Sequence, residues 1–176
     1  MNMKQWAVAL HEEAVRKGFW KVDHAVDCAI ASMHSELSEA LQADRIGLPM
    51  IDIEREWAKP EGIAVELADF VMRMLDFIAE SDSLDYLEII ESRREKVMAN
   101  PEVFRYPCLA SMIRNLHYCL VGVLESYSEN DALVGIASII FSIERYLLDN
   151  QLDLWDVIHM KHEYNLTRPA LHGRKY

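Results

Sequence analysis

Two stretches decide the fold of this chain: HSELSEAL at residues 34–41 and VELADFVMRMLD at residues 65–76. Each places two acids three positions apart in an otherwise apolar run, Glu36 with Glu39 and Glu66 with Asp69. Residues three apart lie on one face of an α-helix, so each pair points its carboxylates the same way. That face also carries core-forming residues, and four carboxylates inside a helix bundle repel one another unless a cation lies between them. The pattern therefore predicts a site for a divalent ion that prefers oxygen ligands, Mg²⁺ first, with Mn²⁺ as an alternative.

The rest of the chain predicts an all-α protein. Apolar residues recur at helical spacing in seven segments, and no stretch has the alternation of a strand. Glycine and proline punctuate the segments, as at Gly18, Gly47 and Pro101. The predicted helices cover residues 3–17, 22–46, 63–80, 84–99, 108–126, 132–148 and 153–168.

Composition restricts the class of protein. The chain has 176 residues, of which 51% are hydrophobic, and a formal net charge of −11. Such a charge argues against a general binder of nucleic acids or anionic membranes, since phosphate groups require basic residues. Three scattered cysteines without metal-type spacing indicate reduced thiols, and no segment reads as a signal peptide or a membrane span. We therefore expect a soluble, cytoplasmic protein.

A weak internal repeat divides the chain into two units, residues 1–100 and 101–176. IASM at residues 30–33 resembles LASM at 109–112, and LDYLEII at 84–90 resembles LDLWDVI at 152–158. In both units a long helix precedes an apolar helix and then a shorter one with a charged end. The second unit lacks the acidic pairs. A duplication whose second copy kept its packing explains this order, and chance similarity between amphipathic helices is the competing explanation.

The acidic stretches resemble the MazG-like, all-α nucleoside triphosphate pyrophosphohydrolases. The resemblance extends to the loop KPEG at residues 59–62 and to the C-terminal stretch KHEYNLTRPALHGRK at residues 161–175. It covers residues 10–80 and 152–176. Residues 81–151 form an insertion relative to single-copy members of the family, and this insertion contains most of the second unit. Such relatives assemble as dimers or tetramers, so a fused pair would form a pseudo-dimer within one chain or a homodimer of such chains.

The resemblance implies Mg²⁺-dependent hydrolysis of a nucleoside triphosphate, ribo or deoxy, to the monophosphate and pyrophosphate. It implies that the four acids bind the metal and carry the catalysis, and that cations from the tail bind the phosphates. Similarity to dCTP-pyrophosphatase-like members adds two contacts to the base, from a histidine and a stacking tryptophan. The implied substrate-binding residues are His11, Trp20, Arg73, Lys161, Tyr164, Asn165, Arg168, His172 and Lys175.

Each of these roles has a structural alternative. Arg73 and Asp76 are three apart and can pair with each other. Trp20 can be a core anchor, His11 a surface residue, and the tail an ordinary basic terminus.

Two other classes of function are also consistent with an acidic helix bundle. A di-iron carboxylate protein is disfavoured, because the sequence has no Glu-x-x-His motif. An inactive nucleotide-binding or protein-interaction module with the same fold is the main alternative, although retention of all four acids argues against it.

Overall fold

The computed structural model describes residues 1–53 and 59–173, and seven α-helices account for most of them. No strand occurs in these two ranges, where one antiparallel bridge joins Asp52 to Glu61. The prediction of an all-α protein is therefore confirmed. The helices are α1 (Met3–Lys17), α2 (Ala25–Arg45), α3 (Ile63–Glu80), α4 (Leu84–Met98), α5 (Leu109–Leu124), α6 (Glu129–Asp149) and α7 (Leu154–Leu166), with 3₁₀ turns at Phe19–Lys21 and Ala170–Gly173.

Two helix starts differ from the sequence-based prediction. α2 begins at Ala25 rather than at residue 22, because a 3₁₀ turn at Phe19–Lys21 and a left-handed His24 (φ 58°) precede it. α6 begins at Glu129 rather than at residue 132, because the Ser128 side chain accepts a hydrogen bond from the backbone N–H of Asp131. A serine cap of this kind satisfies one of the free amides of the first helical turn.

The start of α3 is fixed by the loop before it. The N–H groups of Ile63 and Ala64 donate to the carbonyls of Pro49 and Met50. Gly62 has a φ of 112°, and a Cβ on it would lie 2.6 Å from the Pro49 carbonyl oxygen. Only glycine fits this close approach of backbone to backbone. The loop therefore sets where Glu66 and Asp69 stand, since both follow within two turns.

α3 is the central helix of the bundle. Twelve of its eighteen residues are buried, including Glu66, and it packs against α1, α2, α6 and α7. α5 and α6 pack against each other, α5 also packs on α2, and α6 also packs on α4. The acidic helices α2 and α3 thus lie side by side, with α7 reaching α3 from the other end of the chain. None of the described helices is long and apolar enough to cross a membrane.

Candidate functional site

Three carboxylates from α2 and α3 converge at one place. Glu36 and Glu66 are buried, at 5% and 7% exposure, whereas Glu39 is exposed. One oxygen from each of the three lies within 4.8 Å of the others. The apolar residues beside them, such as Leu37 and Phe70, are fully buried, so the core holds each helix with its acidic face toward the other. Glu36, Glu39 and Glu66 therefore form a cluster, which we call the acid cluster.

The acid cluster fits a divalent cation of the Mg²⁺ type. Oxygen ligands of Mg²⁺ lie ~2.1 Å from the ion, so neighbouring ligands are ~3 Å apart and opposite ones ~4.2 Å apart. The observed spread, up to 4.8 Å, needs only small side-chain rotations to reach those separations. All three donors are carboxylate oxygens, which Mg²⁺ and Mn²⁺ prefer.

Burial and mutual repulsion alter the protonation of these acids. Burial is the main cause that raises the pKa of Glu36, and the charges of Asp69 and Glu39 add to it, whereas Arg73 opposes the shift. Burial also raises the pKa of Glu66 to about 7, with a further contribution from Asp69, against the opposing charge of Lys161. A bound cation would relieve this repulsion by favouring the ionised forms.

Two fixed cations lie against the acids. The Nε of Arg73 donates to Oε1 of Glu36 at 2.7 Å, so Arg73 pairs with an acid of α2. The ammonium of Lys161, on α7, lies 2.7 Å from Oδ2 of Asp69 and is 1% exposed. Among the described residues, the ligand atoms of Asp69 do not converge with those of two or more other acids or histidines. The fourth acid is therefore engaged by a lysine.

A cavity of about 570 Å³ opens beside the acid cluster. Acids, cations, one amide and aromatic rings all line it, so its lining is both polar and apolar. Its volume is in the range of small-molecule sites. Among its lining residues are Glu13, Lys17, Phe19, Trp20, Glu36, Glu39, Lys59, Glu66, Asp69, Met72, Arg73, Asp76, Asn165 and Arg168.

Asp76 organises the end of the cavity near α1. Its Oδ1 accepts a hydrogen bond from Nε1 of Trp20 at 2.9 Å, and Nδ1 of His11 lies 2.8 Å from the same oxygen. Burial raises the pKa of Asp76, against both hydrogen bonds. Nε2 of His11 also lies 3.4 Å from Glu80. Trp20 and Asp76 line the cavity, whereas His11 contacts Asp76 from behind.

The end of α7 supplies the tail residues of the cavity. Asn165 lines it and is 9% exposed, and its side-chain Oδ1 has no hydrogen-bond partner in the described residues. Arg168 also lines the cavity, and its guanidinium carbon lies 5.9 Å from the ring centroid of Tyr164. A buried amide without a partner is costly. Its Oδ1 is therefore available to a hydrogen-bond donor on a ligand in the cavity.

Two predicted tail residues cannot be placed. Lys175 lies outside the described residues, and so does the side chain of His172, whose backbone is in the last 3₁₀ turn. The sequence-based roles of these two residues remain predictions.

Sequence reasoning missed a pair on α1, Glu13 and Lys17. Lys17 is 4% exposed, lies 2.9 Å from Glu13 and donates to the backbone carbonyl of Asn165. Burial would raise the pKa of Glu13, but His162 and Lys17 lower it to about 2. The only signal in the sequence is the four-residue spacing of Glu13 and Lys17, which solvated helix faces also have. The pair joins the end of α1 to the end of α7.

Comparisons with protein-family models, with curated proteins and with solved structures find no match to this chain.

Proposed function

We propose that the protein is a Mg²⁺-dependent nucleoside triphosphate pyrophosphohydrolase of the MazG-like type. One observation carries the proposal: the three converging carboxylates form one wall of a cavity that Asn165 and Arg168 also line. Carboxylates suit a divalent ion, and an arginine and an amide suit phosphate oxygens. A cavity with both features fits a nucleotide with a bound metal.

The reaction has a simple balance. A bond forms between a water oxygen and the α-phosphorus, and the bond from that phosphorus to the oxygen bridging the α and β phosphates breaks. That oxygen leaves with pyrophosphate, and the water releases a proton. A divalent ion held by Glu36, Glu39 and Glu66 would offset phosphate charge and lower the pKa of a water molecule.

The protein's own groups would position the substrate. Arg168 would pair with the phosphates, and the side-chain N–H of Asn165 would donate to them, while its Oδ1 would accept from a hydroxyl or amino group of the substrate. Trp20 has its N–H engaged by Asp76, which leaves the ring face for a base. A carboxylate of the acid cluster would accept the water's proton. Hydrolysis would thus draw on both ends of the chain.

Helix packing supports the duplication that this proposal includes. If α2–α3–α4 and α5–α6–α7 are two copies, α2 is equivalent to α5, α3 to α6 and α4 to α7. A pseudo-dimer then meets two conditions: equivalent helices pack on each other, and a contact from one copy to the other has a matching contact in the opposite direction. The packing of α2 on α5 and of α3 on α6 fits the first condition. The packing of α3 on α7 and of α4 on α6 fits the second. Only the first copy carries the acids, so we infer one composite site per chain.

The test of activity is a screen of the common NTPs and dNTPs with Mg²⁺, in which monophosphate and pyrophosphate are both measured. We expect equal amounts of the two products, and loss of both in Glu39→Gln. Glu39 is exposed, so this variant should fold, and Glu12→Gln, exposed on α1 and outside the cavity, is the matched control. Nucleotide binding without pyrophosphate would contradict the proposal and favour an inactive nucleotide-binding module.

The composite site has its own test. We expect Asn165→Ala to raise KM for the nucleotide ~10-fold or more, because a buried hydrogen bond to a charged group contributes ~1.5–3 kcal/mol. Asn130→Ala, exposed on α6, serves as the control. An unchanged KM would contradict a role for Asn165, and with it the tail, in binding the nucleotide.

A further inference from the structure

Lys161 places a positive charge directly beside Asp69, the fourth acid of the site. Its Nζ is 2.7 Å from Oδ2 of Asp69, and its side chain is 1% exposed. It does not line the cavity, whereas Asn165, one turn later on α7, does. To reach a phosphate, the buried Lys161 would have to leave Asp69, and a half-buried carboxylate, with 16% of its side chain exposed, would lose its partner. The geometry favours a fixed role beside Asp69.

The local charges indicate how many ions the site can hold. Glu36, Glu39, Glu66 and Asp69 carry a charge of −4 when ionised, and Arg73 and Lys161 together carry +2. The remaining charge is −2, which one divalent ion neutralises. A second ion would leave a buried excess of positive charge, which is unfavourable without further anions.

The positions of the ligand atoms independently indicate a single divalent ion. The ligand atoms of Glu36, Glu39 and Glu66 converge within 4.8 Å, and Asp69 is outside this group. The three converging carboxylates can therefore surround one ion, with one oxygen of Glu36 held by Arg73, while the fourth carboxylate contacts the lysine.

We propose that Lys161 replaces a second metal ion, so that the protein without nucleotide binds a single divalent ion through Glu36, Glu39 and Glu66. This inference rests on the metal site of the proposed function. It makes Lys161 a positioning residue for the metal centre, distinct from the phosphate-binding role that the tail motif implies.

The test is the stoichiometry of Mn²⁺ binding to the nucleotide-free protein, measured by isothermal titration and by the loss of the free Mn²⁺ signal in electron paramagnetic resonance. We expect one ion per chain in the wild type and in Lys161→Arg, which keeps the charge. In Lys161→Met, Asp69 becomes available and the local charge falls to −3, which one ion no longer neutralises. We therefore expect a second ion, with an anion from the buffer offsetting the remaining charge of +1. In Lys161→Met with Asp69→Asn the charge returns to −2, and we expect one ion again.

The possible outcomes separate this inference from the proposed function. No Mn²⁺ binding by the wild type would overturn both, because the metal site itself would be absent. Two ions in the wild type would overturn only the role of Lys161, and so would a folded Lys161→Met that binds one ion. If Lys161→Met does not fold, Lys161→Gln, which also removes the charge but can still hydrogen-bond to Asp69, takes its place. A folded Lys161→Gln that binds one ion would overturn the role of Lys161, and so would a second ion in the double variant.

Discussion

The pKa of Glu66 leads to a prediction about stability without metal. Burial raises this pKa from 4.5 to about 7. Between these two values the folded protein keeps a proton on Glu66 that the unfolded chain releases. Stability therefore falls as pH rises from about 4.5 to about 7, and it stays low above that range.

The size of this effect follows from the shift. One pKa unit corresponds to ~1.4 kcal/mol, so a change from 4.5 to about 7 corresponds to ~3 kcal/mol. Glu66 is 7% exposed, so solvent screening reduces this value little. For a protein of this size ~3 kcal/mol is a decrease in Tm of ~6–12 °C. Divalent metal should reverse the loss, since a ligand at 100 times its Kd adds ~2.7 kcal/mol.

The assay is urea unfolding in EDTA at pH 5.5 and pH 8, for the wild type and for Glu66→Gln. Gln mimics the protonated acid, so the variant should be more stable than the wild type by ~3 kcal/mol at pH 8 but by only ~1.4 kcal/mol at pH 5.5, one pH unit above the ordinary pKa of 4.5. The difference between the two proteins isolates Glu66 from other groups. Burial also raises the pKa of Glu36, which adds to the slope, whereas burial lowers the pKa of His117, which opposes it. A difference that does not change with pH, or that grows toward low pH, would refute the reasoning.

Three further predictions concern other parts of the chain. The pKa of Glu13 is lowered to about 2, so its ionised form stabilises the fold; this stabilisation is complete above pH 4.5 and is lost as pH falls through 2. Glu13→Gln should therefore lower the free energy of unfolding in urea by ~3 kcal/mol at pH 7, and by less as the pH approaches 2. Asp76→Ala removes the acceptor of Trp20, so nucleotide KM should rise ~10-fold with little change in kcat, and the Trp20 fluorescence should shift. Glu144→Gln breaks the buried pair with Arg94, so stability should fall by ~3 kcal/mol while Mn²⁺ stoichiometry stays at one ion.

The bounds of the helices were largely predictable because local signals set them. α1 and α3 begin and end where the sequence predicts, at Met3–Lys17 and Ile63–Glu80. α1 has a capping asparagine and a left-handed glycine at its ends, and both signals are visible in the sequence. The start of α2 was not predictable, because a left-handed His24 has no such signal. Boundaries of that kind depend on the packing of the preceding turn.

The acids of the site were predictable for a different reason. A carboxylate on an apolar helix face is anomalous in sequence, because burying an unpaired charge is unfavourable. Glu36 and Glu66 are buried as that reasoning requires. The partners of the cations were not predictable, since Lys161 meets Asp69 across 92 positions and Lys17 meets Asn165 across 148. Helical periodicity assigns faces to helices and does not pair distant ones.

The cations that meet these acids across the chain explain how such a site can exist in an acidic protein. The chain has 18 Lys and Arg residues against 29 Asp and Glu, and the structure places two of these cations beside the acids of the site, with Arg73 on Glu36 and Lys161 on Asp69. Both are held by short contacts between different helices, so their positions depend on the packing of α2, α3 and α7. Because α7 lies within residues 101–176, that part of the chain cannot be removed without unpairing Asp69. The part of the chain that lacks the two acidic pairs is thus required for the charge balance of the part that carries them.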